Sequence, residues 1–173
     1  MKKILATVLA LGMVLTFTAC GKSSELKIGQ VEAAAHGTKC FTIATAVVED
    51  DKIVAAYIDE FQFLSAAEAQ GVPNSDSDFG TNYADASTSV LASKRTNADM
   101  YSKNMAEKGG STVRIDDNFD AIEEYCVGKT ISELEKILGE KDANGMIDAV
   151  SGATLVDAHG YVSAVLAAAK AAK

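Results

Sequence analysis

The apolar and polar positions divide the chain into stretches of different texture. Two lysines, Lys2 and Lys3, precede an uninterrupted apolar run from Ile4 to Ala19. Residues 21–36, GKSSELKIGQVEAAAH, are small and polar with little periodicity, the pattern of a flexible tether. From Thr38 the chain is richer in β-branched residues: CFTIATAVV over 40–48 and KIVAAYIDEFQF over 52–63 flank the acidic turn Glu49-Asp50-Asp51. This predicts a β-hairpin, although the preferred turn glycine is missing. In its second strand Ile53, Ala55, Tyr57, Phe61 and Phe63 alternate with Val54, Ala56, Ile58, Glu60 and Gln62. Residues 71–89 hold the only proline, Pro73, and are rich in Ser, Asp, Asn and Gly, which predicts a loop. Asn74, Asp76 and Asp78 have a calcium-loop spacing, but Phe79 displaces the required glycine to Gly80, so these acids read as a solvated loop.

Helical spacing dominates the second half. Residues 93–108 are polar and partly helical, and Lys94, Arg95, Lys103 and Lys108 make them the most basic stretch, read as a solvated face, with attraction of a phosphate group as the alternative. Phe119, Ile122 and Cys126 recur on one helical face, with Asp116 or Asp117 as the cap and Gly128 as the stop. Thr130 and Glu133 form a capping box ahead of Leu134, Ile137 and Leu138, closed by Gly139. Leu155, Ala158, Val162, Val165 and Ala169 mark a final amphipathic helix over 155–171. Gly160 inside it costs about 1 kcal/mol, which close packing against a neighbour would justify.

Composition narrows the class of protein. With 16 basic and 24 acidic residues the formal charge is −8, which argues against nucleic-acid binding, and 48% hydrophobic content suffices for one core. The apolar run at 4–19 is shorter than the roughly 18–20 residues that span a bilayer and reads as an export signal. Thr18-Ala19-Cys20-Gly21 resembles the lipobox of bacterial lipoproteins, with Phe17 where leucine is usual. That resemblance implies cleavage after residue 19 and lipidation of Cys20; plain secretion with an unmodified Cys20 is the alternative. Loss of residues 1–19 removes two lysines and no acid, taking the charge to −10. Such a chain is held at an anionic membrane by lipid, not by charge. Cys40 and Cys126 either bridge, for a gain on the order of 4–5 kcal/mol, or remain as two buried thiols. Neither lies in a C-x-x-C motif, so a zinc or redox dithiol site has no support.

The candidate chemistry lies just before the final helix, in Asp148-Ala149-Val150-Ser151-Gly152-Ala153-Thr154. A helix N-terminus offers unpaired N–H groups and partial positive charge, and thus favours a phosphate. Gly152 permits close approach of the backbone, Ala153 keeps the space clear, and Ser151 and Thr154 add hydroxyls. Thr154 and Asp157 also have the T-x-x-D spacing of a capping box, which would make Thr154 a helix cap. A cap alone does not require the other residues at these offsets. His159, five positions beyond Thr154, lies too far around a helix to activate it and reads as a surface or packing residue.

DAVSGAT resembles the D-x-x-[ST]-G-A-T motif of the FMN-binding domain family, found in the C-type subunit of the sodium-pumping NADH:quinone reductase, the corresponding Rnf subunit and small exported flavoproteins. A weaker resemblance covers roughly residues 37–173, including VVEDDKIVAAYIDE, with Asp51 where the family has glycine. It implies that Thr154 carries FMN as a phosphoester, attached by a transferase using FAD and a divalent metal. Asp148, Ser151, Gly152 and Ala153 then form the recognition segment. No metal ligand or catalytic residue of the chain's own is implied. Tyr57, Phe61, Phe63, Tyr83, Tyr101 and Tyr161 are candidates to flank the flavin ring.

The expected architecture is a signal peptide over 1–19, a lipidated Cys20 and tether over 20–36, and a domain over 37–173. That domain is expected to be α+β, a twisted antiparallel sheet packed by helices. The expected function is an exported, membrane-anchored electron carrier on the extracytoplasmic face, acting between a membrane donor and redox proteins or quinol, more a component of a redox chain than a stand-alone enzyme. The alternative is a non-redox lipoprotein that binds a small ligand or a partner protein.

Overall fold

The computed structural model describes residues 24–173; the signal segment and Cys20 lie outside the described residues. The expected hairpin is present, as β2 (Cys40–Glu49) and β3 (Lys52–Ser65). Asp50, at φ +57°, takes the left-handed turn position that glycine usually fills, which a short polar side chain tolerates. Two further strands flank the pair: β1 (Leu26–Ala33) and β4 (Ser89–Ser93). The sheet is antiparallel in the order β1-β2-β3-β4, and the fold is α+β.

β1 corrects the expected tether and the domain boundary at residue 37. Each residue from Leu26 to Ala33 pairs with β2. The sequence conceals this strand because it lies at a sheet edge, where only Gly29 is fully buried. The expected loop over 71–89 yields only its last residue, Ser89, to β4, and it holds a short helix over Asp78–Thr81. The expected alternation in β3 also fails, because Val47 pairs with Ala55 and Val48 with Ile53, leaving Val54 as the extra residue of a bulge. The bulge switches the inward parity: Ile53 is buried before it, and Ile58 and Glu60 after it.

The described residues form six helices, and all but the first pack on one face of the sheet. They are α1 (Asp78–Thr81), α2 (Ala98–Gly109), α3 (Ile115–Cys126), α4 (Ile131–Glu140), α5 (Ala143–Ala149) and α6 (Ala158–Ala171). α3 buries Phe119, Ile122 and Cys126 as their spacing requires, but its N-cap is Arg114. Asp116 pairs with the Arg114 guanidinium at 3.0 Å instead of capping. α4 begins with the expected capping box, Thr130 accepting from the Glu133 N–H. α6 lies across β1 and β2, and α3 across β3. Small residues permit this closeness: a Cβ on Gly29 would stand 2.0 Å from the Ala168 carbonyl oxygen, and one on Gly160 would stand 2.2 Å from that of Ala35. Phe119 and Tyr161 meet edge to face at 5.3 Å in the core. Among the described residues no helix is long and apolar enough to cross a membrane.

Candidate cofactor-attachment site

The DAVSGAT segment runs from the end of α5 into the loop before α6. Asp148, Ser151 and Thr154 are exposed, while Val150 and Ala153 are buried and fasten the loop to the core. Gly152 has φ +93°, in the left-handed region where L side chains are strained. α6 starts at Ala158 with Asp157 as its N-cap. Thr154 therefore stands outside the helix, which corrects both the expected helix start at 155 and the capping-box role for Thr154.

Asn118, fully buried on the first turn of α3, holds the loop in place. Its Oδ1 accepts the Thr154 N–H at 2.6 Å and faces Thr154 Oγ1 at 3.5 Å. Its Nδ2 donates to the carbonyls of Arg114 at 2.7 Å and Val113 at 3.3 Å. A side-chain amide supplies both the acceptor and the donors this position requires, so one residue ties the loop to the start of α3. Asn118 follows two aspartates in a polar helix start, and nothing in the sequence distinguishes it from a solvated residue.

Directly after Thr154, Leu155, Val156 and Asp157 border a cleft of about 120 Å³ whose other walls include His36, Lys94, Tyr101, Met105 and Tyr161. Of the aromatic residues expected to flank a ring, this cleft holds Tyr101 and Tyr161. Tyr57 lies against Arg95 at 4.9 Å, and Phe61, Phe63 and Tyr83 line a different cleft.

Lys94 and Arg95 are not a solvated face as expected. Lys94 is 1% exposed, its ammonium paired with the fully buried Glu60. Its backbone N–H bonds the Glu60 carbonyl at 2.8 Å where the chain leaves β4. Arg95 pairs with Asp120 at 2.7 Å and Glu123 at 2.5 Å. Glu60 also accepts from Tyr161 at 2.9 Å and Thr42 at 3.0 Å. Burial alone would push the Glu60 carboxyl up, but hydrogen bonding to His36 and the charge and hydrogen bond of Lys94 bring it down to about 2. His36 Nδ1 lies 3.5 Å from Glu60, and His36 Nε2 lies 3.7 Å from Asp157. Hydrogen bonding to Glu60 raises the imidazole pKa against burial.

His36, Cys40 and Glu60 bring ligand-type atoms within 4.8 Å of one another. The Lys94 ammonium is already bonded to Glu60 and lies 3.4 Å from His36 Nδ1, so a cation of the protein's own fills the place a metal would take. Cys40 and Cys126 are both free thiols. Burial pushes the Cys40 thiol up to about 11, and it donates to the His36 carbonyl at 2.6 Å. Cys126 lies in the core, pushed up to about 12 by burial. His159 approaches the Leu138 carbonyl at 3.4 Å, as a packing residue would, and nothing in its placement activates Thr154.

Comparison with protein-family models gives no match, and neither curated proteins nor solved structures give one.

Proposed function

We propose that the chain is an exported, lipid-anchored flavoprotein that carries FMN as a phosphoester on Thr154 and passes electrons between a membrane donor and an extracytoplasmic acceptor. The observation that carries this reading is the exposed Thr154 hydroxyl, on a loop pinned by Asn118 and beside a cleft with tyrosine walls. The residues present fit the group. Thr154 is open to a transferase active site, and Gly152 and Ala153 place no bulk beside it. Among the described residues, the N–H groups of Leu155 and Val156 donate to no protein acceptor and are free for phosphate oxygens. When bound, the flavin would supply the electron-accepting chemistry.

The chain's own residues hold and tune the group. Tyr101, Met105 and Leu155 offer an apolar surface that limits water. At the polar end of the cleft Lys94 is paired with Glu60, and His36 stands between Glu60 and Asp157, so these groups are held in fixed positions beside the group. The Thr154 hydroxyl faces only the Asn118 amide, with no base beside it, so attachment requires an external enzyme. A flavin transferase using FAD and a divalent metal would supply that activation.

Co-expression with such a transferase should give a yellow protein whose flavin survives denaturation, and intact-mass analysis should find one FMN adduct. Thr154→Ala should remain colourless. A colourless wild-type chain without the adduct would instead favour a non-redox lipoprotein.

A further inference from the structure

The outer face of the sheet, turned away from α3 and α6, carries a second and larger cleft of about 770 Å³. Cys40, Thr42 and Ala44 alternate towards the helices on β2, which turns Phe41 outward; Glu60 points inward on β3, which turns Phe61 and Phe63 outward. Leu91 of β4 pairs with Phe63 and continues this floor. Phe79 and Tyr83, from the segment around α1, form the other wall with rings 5.6 Å apart. Phe41 and Phe61 are stacked, 5.3 Å between centroids and 16° between planes. The exposure is costly: Phe41, Phe63, Phe79 and Tyr83 are 38%, 37%, 45% and 70% accessible. Four large rings open to water around one concavity are unusual on a surface without a partner.

We propose that this cleft binds a planar aromatic molecule bearing one anionic group. Its volume falls within the roughly 300–1,000 Å³ of small-molecule sites. Its walls are ring faces and edges, which match a flat ring system better than a flexible acyl chain. The anionic group follows from charge. In a chain with 24 acidic residues the lining contains no carboxylate, and Lys39 is its one cation. The site lies on the opposite side of the sheet from Thr154 and does not depend on flavin attachment.

The test uses the purified full-length chain with 1-anilinonaphthalene-8-sulfonate and its uncharged counterpart N-phenyl-1-naphthylamine, followed by fluorescence titration. The sulfonate should bind saturably at one site per chain, and equally well to Thr154→Ala. Phe79→Ala/Tyr83→Ala, which changes only exposed side chains, should weaken both dyes about tenfold or more. Lys39→Gln should weaken the sulfonate about two- to five-fold and leave the neutral dye unchanged. Circular dichroism on each variant separates loss of the site from loss of the fold. Equal dye binding by the double variant with its fold intact would overturn the proposal. So would displacement of the dye by palmitate, which would assign the cleft to acyl chains, or a dimer in sedimentation that competes with the dye, which would assign it to a second copy.

Discussion

Asn118 is the residue whose replacement should be felt most directly at Thr154. Asn118→Ala removes the acceptor of the Thr154 N–H and one of the donors to each of two carbonyls, leaving the Thr154 N–H without its protein partner and a gap at a fully buried position. It should cost about 1–3 kcal/mol in denaturant unfolding and slow flavin loading, since Thr154 is no longer held outward. Beneath the cleft, Glu60 and Lys94 form a buried pair whose singly broken forms should cost about 3–5 kcal/mol. Glu60→Gln/Lys94→Met should cost less than the sum of its parts, as a double-mutant cycle would read. The pH dependence has two signs. Glu60 is held below its ordinary carboxylate value of 4.5, so its contribution is full above that value and is lost as pH falls through about 2. Its loss should steepen acid unfolding in the wild type relative to Glu60→Gln. His36 is raised above 6.5, so its contribution is full below that value and is lost as pH rises through the folded value. His36→Gln should therefore melt below the wild type at about pH 5.5 and converge with it at about pH 9. The groups facing His36 are Glu60, Asp157 and the opposing Lys94. None of this network is legible in the sequence: the bulge at Val54 turns Glu60 inward, and the partners come from distant segments.

At the scale of elements, legibility followed the strength of local signals. The 40–63 hairpin, the Thr130–Glu133 box and the α3 face each have a periodic or capping pattern strong enough to survive folding. β1 and β4 lack one: the first is an exposed edge strand, and the second has five residues beside a stretch rich in turn formers. That DAVSGAT forms a loop ahead of the last helix was legible, but the start of α6 was not, because Leu155 continues the helical spacing while belonging to the loop. Gly160 tests whether the packing between these elements is as tight as it looks. Helix propensity alone predicts that Gly160→Ala gains about 1 kcal/mol. The added methyl would meet the Ala35 carbonyl oxygen at 2.2 Å, a backbone atom that cannot swing aside. The substitution should instead destabilise by about 1–3 kcal/mol, read as a lower melting temperature. Thr130→Ala, which removes only a cap, should cost about 1 kcal/mol and leave flavin loading unchanged.

The whole molecule combines an acidic head with a proposed lipid attachment at Cys20. With the proposed cleavage taking its charge to −10, the head would be repelled by anionic lipid, and its height above the membrane would depend on the chain between anchor and fold. A tether reaching residue 36 would let the domain range widely. β1 shortens it, because the sheet begins at Leu26 and residues 21–25 alone separate it from Cys20. At about 3.3–3.6 Å per residue these cannot reach beyond about 18 Å. The same strand makes two truncations diverge. A chain beginning at residue 24 keeps β1 paired with β2 and packed beneath α6, and should fold with a cooperative melt. A chain beginning at residue 37 loses β1, the Ala35 contact with Gly160 and the His36 link to Glu60 and Asp157. It exposes the paired edge of β2 and the underside of α6, and should be aggregation-prone and sensitive to protease. Were it to melt like the longer chain, residues 26–36 would be a tether after all, and the domain would be free to stand well away from its anchor.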